Sequence, residues 1–426
     1  MPATVVIGAQ WGDEAKGKLV DSLAESASLV ARFNGGDNAG HTVINAYGTF
    51  KVRLVPNGFS TPGALCAIGP GVVLNLNTLL QEIATIEASD LALSERLWIS
   101  PRCHVVMPYH PLVEGIYEAA KGTGRTGTTG RGMGPVYADK VSYNGIRLYD
   151  LQQPEVLLEK LRIQLEVKNR LLQAFEAVPL QAKQVADEYL ALFERLRPVV
   201  REPFGIVQDA LQAGKQVLLE GAQGSLLDNT WGTYPFCTAS DTLSGGACSG
   251  LGVAPRWIER VVGVTKAYTS RVGAGPMPTE LLDSTGEVLR KEGQEYGTVT
   301  GRPRRCGWLD AEALRFTCQL NGVSELALTK LDVLDTLPAV KICTSYRAPA
   351  SSQPAHYWEG NSAWLETVQP VYEELPGWQQ PTRQLREFGD LPANARAFVQ
   401  RVQELAGVKV SIVSVGPERN ESILIQ

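Results

Sequence analysis

The chain reads as an α/β protein: one large domain around a mainly parallel, twisted β-sheet, with a helical insertion and a phosphate-binding loop. Three observations predict this. Short β-branched apolar runs flanked by Gly or Pro recur along the 426 residues, as buried strands of a parallel sheet do. Helical patterns alternate with these runs. A glycine-rich turn, Gly12-Asp13-Glu14-Ala15-Lys16-Gly17-Lys18, follows the first run and precedes a helix-like segment from Leu19 to about Ser26. Strand, glycine turn and helix in that order form an anion cradle, with backbone N–H groups and a helix N-terminus facing the ligand.

Strands are expected at residues 4–7, 29–33, 52–55, 67–73, 97–100, 217–219, 262–268, 326–329, 340–343 and 410–414. Leu158, Leu161, Leu165, Leu172 and Phe175 mark one helix face, and Val185, Tyr189, Leu192, Phe193 and Leu196 another. Residues 154–214 therefore read as a mostly helical insertion between two parts of the sheet. Residues 346–370, with Pro349, Pro354 and Gly360, read as a surface hairpin or irregular excursion. No repeat or composition break asks for a second domain, so one domain is expected over residues 1–426.

Net charge is −5, from 40 basic and 45 acidic side chains, so no global basic field argues for nucleic acid. Seven cysteines are scattered without a C-x-x-C pair, which argues against a disulfide framework or a structural zinc site. The start runs directly into a strand, and no apolar run has membrane-spanning length. No leader and no membrane contact are expected, and the location expected is cytoplasmic.

The first loop fits the frame G-x-x-x-x-G-K. Leu19 stands where such a loop supplies Ser or Thr to magnesium. Asp13 is the natural substitute ligand, and a carboxylate there can also act as a base. A second loop, Gly35 to Thr42, places Asn38 and His41 on glycine-rich backbone, and His41 is one of four histidines. His104, His110 and His356 lack such surroundings and read as structural.

Residues 122–134 hold six Gly, four Thr and two Arg. Hydroxyls, amides and guanidinium forks together suit a second phosphate, the alternative being a flexible linker. Gln223, in Glu220-Gly221-Ala222-Gln223-Gly224, suits a purine edge, an oxyanion or a structural turn. Thr238 follows it. Arg302, Arg304 and Arg305 crowd a Gly/Thr loop, which reads as a carboxylate or phosphate clamp. Thr329-Lys330-Leu331-Asp332 reads either as an ordinary strand-end turn or as a guanine loop, in which the carboxylate can accept from both guanine donors. The lysine stem can cover the purine face.

These strings in this order resemble the adenylosuccinate synthetase family over about residues 4 to 425. Gln10-Trp11-Gly12-Asp13-Glu14, Asn38-Ala39-Gly40-His41-Thr42, Gly127-Thr128-Thr129-Gly130-Arg131-Gly132, Gly232-Thr233-Tyr234-Pro235, Arg271-Val272-Gly273-Ala274-Gly275-Pro276 and Leu375-Pro376-Gly377-Trp378 complete the match. The resemblance implies a homodimeric ligase that joins IMP to L-aspartate with GTP and Mg2+. By resemblance, Asp13 is the base and a metal ligand, Gly40 offers its carbonyl to the metal, His41 is the general acid, and Gln223 holds the 6-oxygen region. Gly12, Asp13, Glu14, Ala15, Lys16, Gly17 and Lys18, with Gly40, His41 and Thr42, would bind GTP phosphates. Arg304 would reach the same ligand. Lys330, Leu331 and Asp332 would select guanine, walled by Ser414, Val415 and Gly416. IMP would meet Asp13, Glu14, Ala15, Lys16, Asn38, Ala39, Gly40, His41, Thr129, Gln223, Thr238 and Arg302. Aspartate would meet Thr298, Val299, Thr300, Gly301, Arg302, Pro303 and Arg304.

Three positions depart from the family's pattern. Ala15 stands where Gly is usual, which costs roughly 1 kcal/mol if its φ is positive and nothing if negative. Tyr143 replaces an Arg that commonly crosses the dimer to the IMP phosphate, and Arg147 nearby does not simply inherit that role. Asp241 replaces an Asn. Two rival readings are a relative that takes a guanine monophosphate in place of IMP and a GTP-binding switch without ligase chemistry. Asp13 argues against the first, whose members alter that residue. His41, Gln223 and the Arg loop are unexplained by the second.

Overall fold

The computed structural model describes residues 3–297, 301–349 and 353–425. Nine strands form the central sheet: β1 (Ala3–Gly8), β2 (Leu29–Arg32), β3 (Leu65–Ile68), β4 (Leu97–Ile99), β5 (Val217–Gly224), β6 (Ile258–Lys266), β7 (Glu325–Thr329), β8 (Val410–Ser414) and β9 (Ser422–Leu424). Their order is β9-β8-β7-β6-β1-β5-β2-β3-β4. Every neighbouring pair is parallel except β8 with β9.

β1 lies at the centre and is buried along its whole length. Ala3, Val5 and Ile7 join the core on one face, and Val6 joins Val30, Leu218, Val262 and Val264 on the other. Leu19 and Val20 of helix α1 (Lys16–Leu23) cover that second face. Both faces are thus apolar, which is why β1 reads as a continuous hydrophobic run. The chain runs from β1 to β2, β3 and β4 on one side, returns through β5 and then builds β6, β7 and β8 on the other, and ligands of such sheets bind outside the carboxyl ends near that reversal.

The helices Pro154–Ala174 and Ala182–Leu196 pack beside Leu76–Glu87 around a separate apolar cluster. Among the described residues no helix is long and apolar enough to cross a membrane.

Five local expectations change. Residues 53–55 are not a strand; their three amides donate to the buried Glu82 carboxylate at 2.8–3.0 Å. The run 67–73 is broken after Ile68, because Gly69-Pro70-Gly71 turns the chain before the short strand Val73–Leu74. The run 262–268 is a strand that starts earlier, at Ile258, and ends at Lys266. The run 340–343 belongs to Ala339–Arg347, a strand of a separate sheet that pairs antiparallel with Gln369–Pro376. Phe175 lies past the last helical turn and is 53% exposed, so it leaves the face marked by Leu161, Leu165 and Leu172.

Candidate active site

Parallel strands bring their carboxyl ends to one edge of the sheet. Loop 9–15 leaves β1 there, loop 33–40 leaves β2, Lys330–Asp332 follows β7, and Val415 and Gly416 follow β8. Gln223 is the penultimate residue of β5. Segments up to about 400 residues apart in sequence therefore converge without any special device.

Loop 9–15 is held from inside by Glu14, which is fully buried. Its Oε1 accepts from the backbone N–H of Gln10 (3.1 Å) and Gly12 (2.8 Å), and its Oε2 pairs with Lys16 Nζ at 2.6 Å. The Glu14 carbonyl accepts from Thr329 Oγ1 at 2.9 Å, tying the loop to the end of β7. The Glu14 side chain is thus the loop's internal anchor, turned away from the mouth. Gly12, Asp13 and Ala15 all have left-handed backbone, with φ of 89°, 61° and 67°. Ala15 therefore carries the cost foreseen for a positive φ, of order 1 kcal/mol.

Lys18 does not sit as the phosphate-loop frame implies. Its ammonium is buried and donates to Ser414 Oγ (2.6 Å), Gly416 O (2.6 Å) and Glu421 O (2.7 Å). Burial lowers its pKa to about 8, against the pull of Glu421 and Asp332.

Asp13 sits at the loop mouth, where its Oδ1 pairs with Arg304 Nη2 at 2.8 Å. Arg304 Nη1 meets Glu295 Oε2 at 2.7 Å. Glu295 has no exposed surface and also receives Lys266 Nζ (3.1 Å), Lys330 Nζ (2.8 Å), Ser270 Oγ (3.0 Å) and the Tyr268 hydroxyl. Burial alone would push its carboxyl up, but Lys266, Lys330 and Arg304 together hold it well below the usual range. One buried carboxylate thus joins the candidate base, the Arg loop and the candidate guanine loop.

His41 opens the hairpin His41–Asn45/Gly48–Val52 and is nearly buried. A Cβ on Gly17 would lie 2.7 Å from the His41 Cβ, so only glycine lets α1 start against this ring. His41 Nδ1 lies 2.8 Å from Glu220 Oε1. Asn57 steadies that carboxylate through its backbone N–H (2.8 Å) and Nδ2 (2.5 Å). Burial drives the His41 pKa down while Glu220 pulls it up, and the net direction is down. For Glu220 burial pushes up, but the His41 hydrogen bond and charge, with Arg32, prevail and lower it.

Asn38 and Thr238 meet, with Asn38 Nδ2 3.4 Å from Thr238 Oγ1. Arg302 Nη2 reaches Gly127 O (2.8 Å) and Thr128 O (3.1 Å), which brings the Arg loop onto the segment bearing Thr129. Arg305 is drawn aside into a fork with Glu280, at 2.8 Å and 2.5 Å. Thr298, Val299 and Thr300 lie outside the described residues. Gly301 and Pro303 flank Arg302, and Thr42 lies on the exposed side of the hairpin. Gln223 has φ of 58°. Asn38 Oδ1, Gln223 Nε2 and Asp332 Oδ1 are among the buried atoms that have no hydrogen-bond partner within the described residues, as are Asn57 Oδ1 and Arg304 Nε. Burial, then the charge of Asp335, raises Asp332 to about 6.

A family model for adenylosuccinate synthetase matches residues 5–423. The chain belongs to the adenylosuccinate synthetase family. It is 46% identical over 424 residues to the adenylosuccinate synthetase of Dehalococcoides mccartyi, covering 99% of this chain and 100% of that one. It is 47% identical over 427 residues to that of Acidothermus cellulolyticus, covering 100% and 99%. The fully ligated adenylosuccinate synthetase of Plasmodium falciparum superposes with a TM-score of 0.94 at 33% identity, over 100% of both chains. A succinoaminodeoxyadenylate synthetase from cyanophage S-2L shares the fold, with a TM-score of 0.61 at 22% identity. As a member of the adenylosuccinate synthetase family, the chain is a GTP-dependent ligase of purine biosynthesis.

Two buried acids of this site were not singled out from the sequence. Glu220 had a signal: a carboxylate inside an apolar strand needs a partner when buried. Glu295 had none, because its three cations, Lys266, Arg304 and Lys330, come from three separate segments.

Proposed function

We propose that the site joins IMP to L-aspartate in two steps. In the first, Asp13 takes the N1 proton of IMP as the 6-oxygen attacks the γ-phosphorus of GTP, and GDP leaves. In the second, the amine of aspartate adds at C6, phosphate departs, and the amine gives up a proton. The observation that carries this reading is the convergence of Asp13, the His41–Glu220 pair and the Arg304–Glu295 pair around one glycine-rich loop.

The surroundings support each role. Glu220 accepts the Nδ1 proton of His41, which leaves Nε2 as the nitrogen that can donate to a transferring phosphoryl group. Negative charge from a triphosphate favours the imidazolium that burial alone disfavours. Arg302 and Arg304 offer forks to the aspartate carboxylates and to GTP. Asn38, Thr129, Thr238 and Gln223 face IMP in this reading. Asp332 accepts the two guanine donors, and Lys330, pinned by Glu295 and the Gly293 carbonyl (2.6 Å), lays its stem beside the base.

The donors suit Mg2+. Asp13 offers a carboxylate and Gly40 a backbone carbonyl, both hard oxygen ligands. Among the described residues no three His, Cys, Asp or Glu side chains converge on a metal position. A magnesium ion held by Asp13 and Gly40 would complete its shell with phosphate oxygens and water, and would neutralise phosphate charge.

The homodimer is part of the same proposal. Tyr143, at the position of the family's cross-subunit Arg, is 97% exposed, and Val156, Ile163 and Val167 form an exposed apolar stripe. Cytoplasmic location is supported by seven unpaired thiols.

The deciding experiment is an assay of adenylosuccinate formation with each of IMP, GTP and aspartate left out in turn. All three are expected to be required. Turnover of dGMP in place of IMP would overturn the reading.

A further inference from the structure

In the loop frame G-x-x-x-x-G-K, the final lysine is ordinarily the residue that reaches the terminal phosphates. Lys18 occupies that position, yet the structure commits its ammonium elsewhere. An ammonium has three protons, and three acceptors take them: Ser414 Oγ at 2.6 Å, Gly416 O at 2.6 Å and Glu421 O at 2.7 Å.

Those acceptors belong to one turn. Ser414 Oγ also donates to Gly416 O at 3.1 Å, and Glu418 N–H donates to Glu421 Oε2 at 2.8 Å. Val415 N–H closes on Glu421 O at 3.0 Å, and Arg383 Nε braces the Glu421 carboxylate at 2.6 Å. The turn thus wraps the lysine head, and Lys18 is 6% exposed. Asp332 is close enough for its charge to act on Lys18. The lysine therefore stands behind the base-facing residues. Lys16, two positions earlier, is paired among the described residues only with a carboxylate of its own loop.

We propose that Lys18 is a positioning residue for guanine: it fixes the turn at residues 414–416 against the base and makes no phosphate contact. This rests on the reading of the site as a GTP site. It reverses the role that the sequence frame assigns to Lys18 and leaves Lys16 as the loop's cation for phosphate.

The test uses phosphate number as a ruler. Affinities of GMP, GDP and GTP are measured by calorimetry with IMP saturating, so that the IMP site is filled. Wild type is compared with Lys18→Met and, because a buried lysine can be needed for folding, with Ser414→Ala. Circular dichroism and thermal melts establish that each variant is folded. The expected loss is about 10- to 100-fold for Lys18→Met, smaller for Ser414→Ala, and equal for all three nucleotides. KM for GTP rises by the same factor, while kcat and KM for IMP stay within about twofold.

A Lys18→Met loss that grows with each added phosphate, together with a fall in kcat, would overturn the inference. So would unchanged affinity for all three nucleotides. If Lys18→Met does not fold, a Ser414→Ala loss confined to GTP, or no loss, overturns it equally. Failure of wild type to bind any guanine nucleotide would instead sink the GTP reading.

Discussion

The phosphate loop and the segment proposed to face guanine handle charge in opposite ways. In the loop, charged groups already hold one another: Glu14 binds the loop's own amides and Lys16, and Asp13 binds Arg304. Across the site, Asp332 Oδ1 is buried without a partner among the described residues, and burial raises its carboxyl to about 6. The first region must exchange partners when a ligand arrives. The second gains partners it did not have. In the proposed reading, reaction control belongs to the loop and recognition to the Asp332 pocket, where an unsatisfied acceptor would strongly reward the ligand that completes it.

The largest effect tests the loop. Asp13→Ala is expected to lower kcat by about 10³-fold or more while sparing the fold, since the residue is partly exposed and its partner Arg304 keeps Glu295. Near-normal turnover in a stopped assay would remove the base role. Next comes Glu220→Gln, which preserves shape but no longer stabilises His41 as a cation. A drop in kcat of about 10²-fold is expected, with KM for GTP little changed. An equal rise in KM for GTP would mean that the pair serves binding, and the contrast between the two regions would blur.

Asp332→Asn probes the other side. Loss of guanine pairing is expected to weaken GTP by about 10- to 100-fold; an unchanged GTP/ATP preference would overturn the assignment. The pH profile sharpens this. Guanine pairing needs the ionised carboxylate, so GTP affinity should fall as pH drops below about 6 in wild type and stay flat in Asp332→Asn. Stability runs the other way. The folded pKa is raised, so the folded state holds the proton between the unfolded value and about 6, and stability declines as pH rises through that window. Above it the penalty is present in full. Asp332→Asn should then stabilise the free protein at pH 7 by at most about 3 kcal/mol, read from urea unfolding. In the proposed reading, recognition would be held at the expense of stability.

The smallest effect concerns Ala15. Its φ of 67° means that Ala15→Gly should stabilise by up to about 1 kcal/mol, less the entropy gained by the unfolded chain. A destabilisation would show that the methyl group earns its place by packing.

Much of this was legible in the sequence, for a physical reason. Strands β1, β2, β7 and β8 are short apolar runs ended by glycine or polar turns, and parallel pairing alone brings their loops together. Asn38 does meet Thr238, and Arg302 does meet the 122–134 segment; their ligand roles stay part of the proposal. What could not be read was the direction of side chains. Lys18 has the spacing of a phosphate lysine, but only tertiary structure reveals three acceptors some 400 residues away. Residues 53–55 have the composition of a strand, yet Glu82 takes their amides. Glu295 is silent in sequence because its meaning lies in Lys266, Lys330 and Arg304.

The Lys18 contacts also set the order in which the molecule can be completed during synthesis. The lysine emerges early from the ribosome, and its three acceptors lie 396, 398 and 403 residues later. Until they arrive, an ammonium at the start of α1 has no buried home. These three contacts can therefore form only after nearly all of the chain has been made. Shortening the chain before residue 414 would remove all three acceptors of Lys18 together with β9.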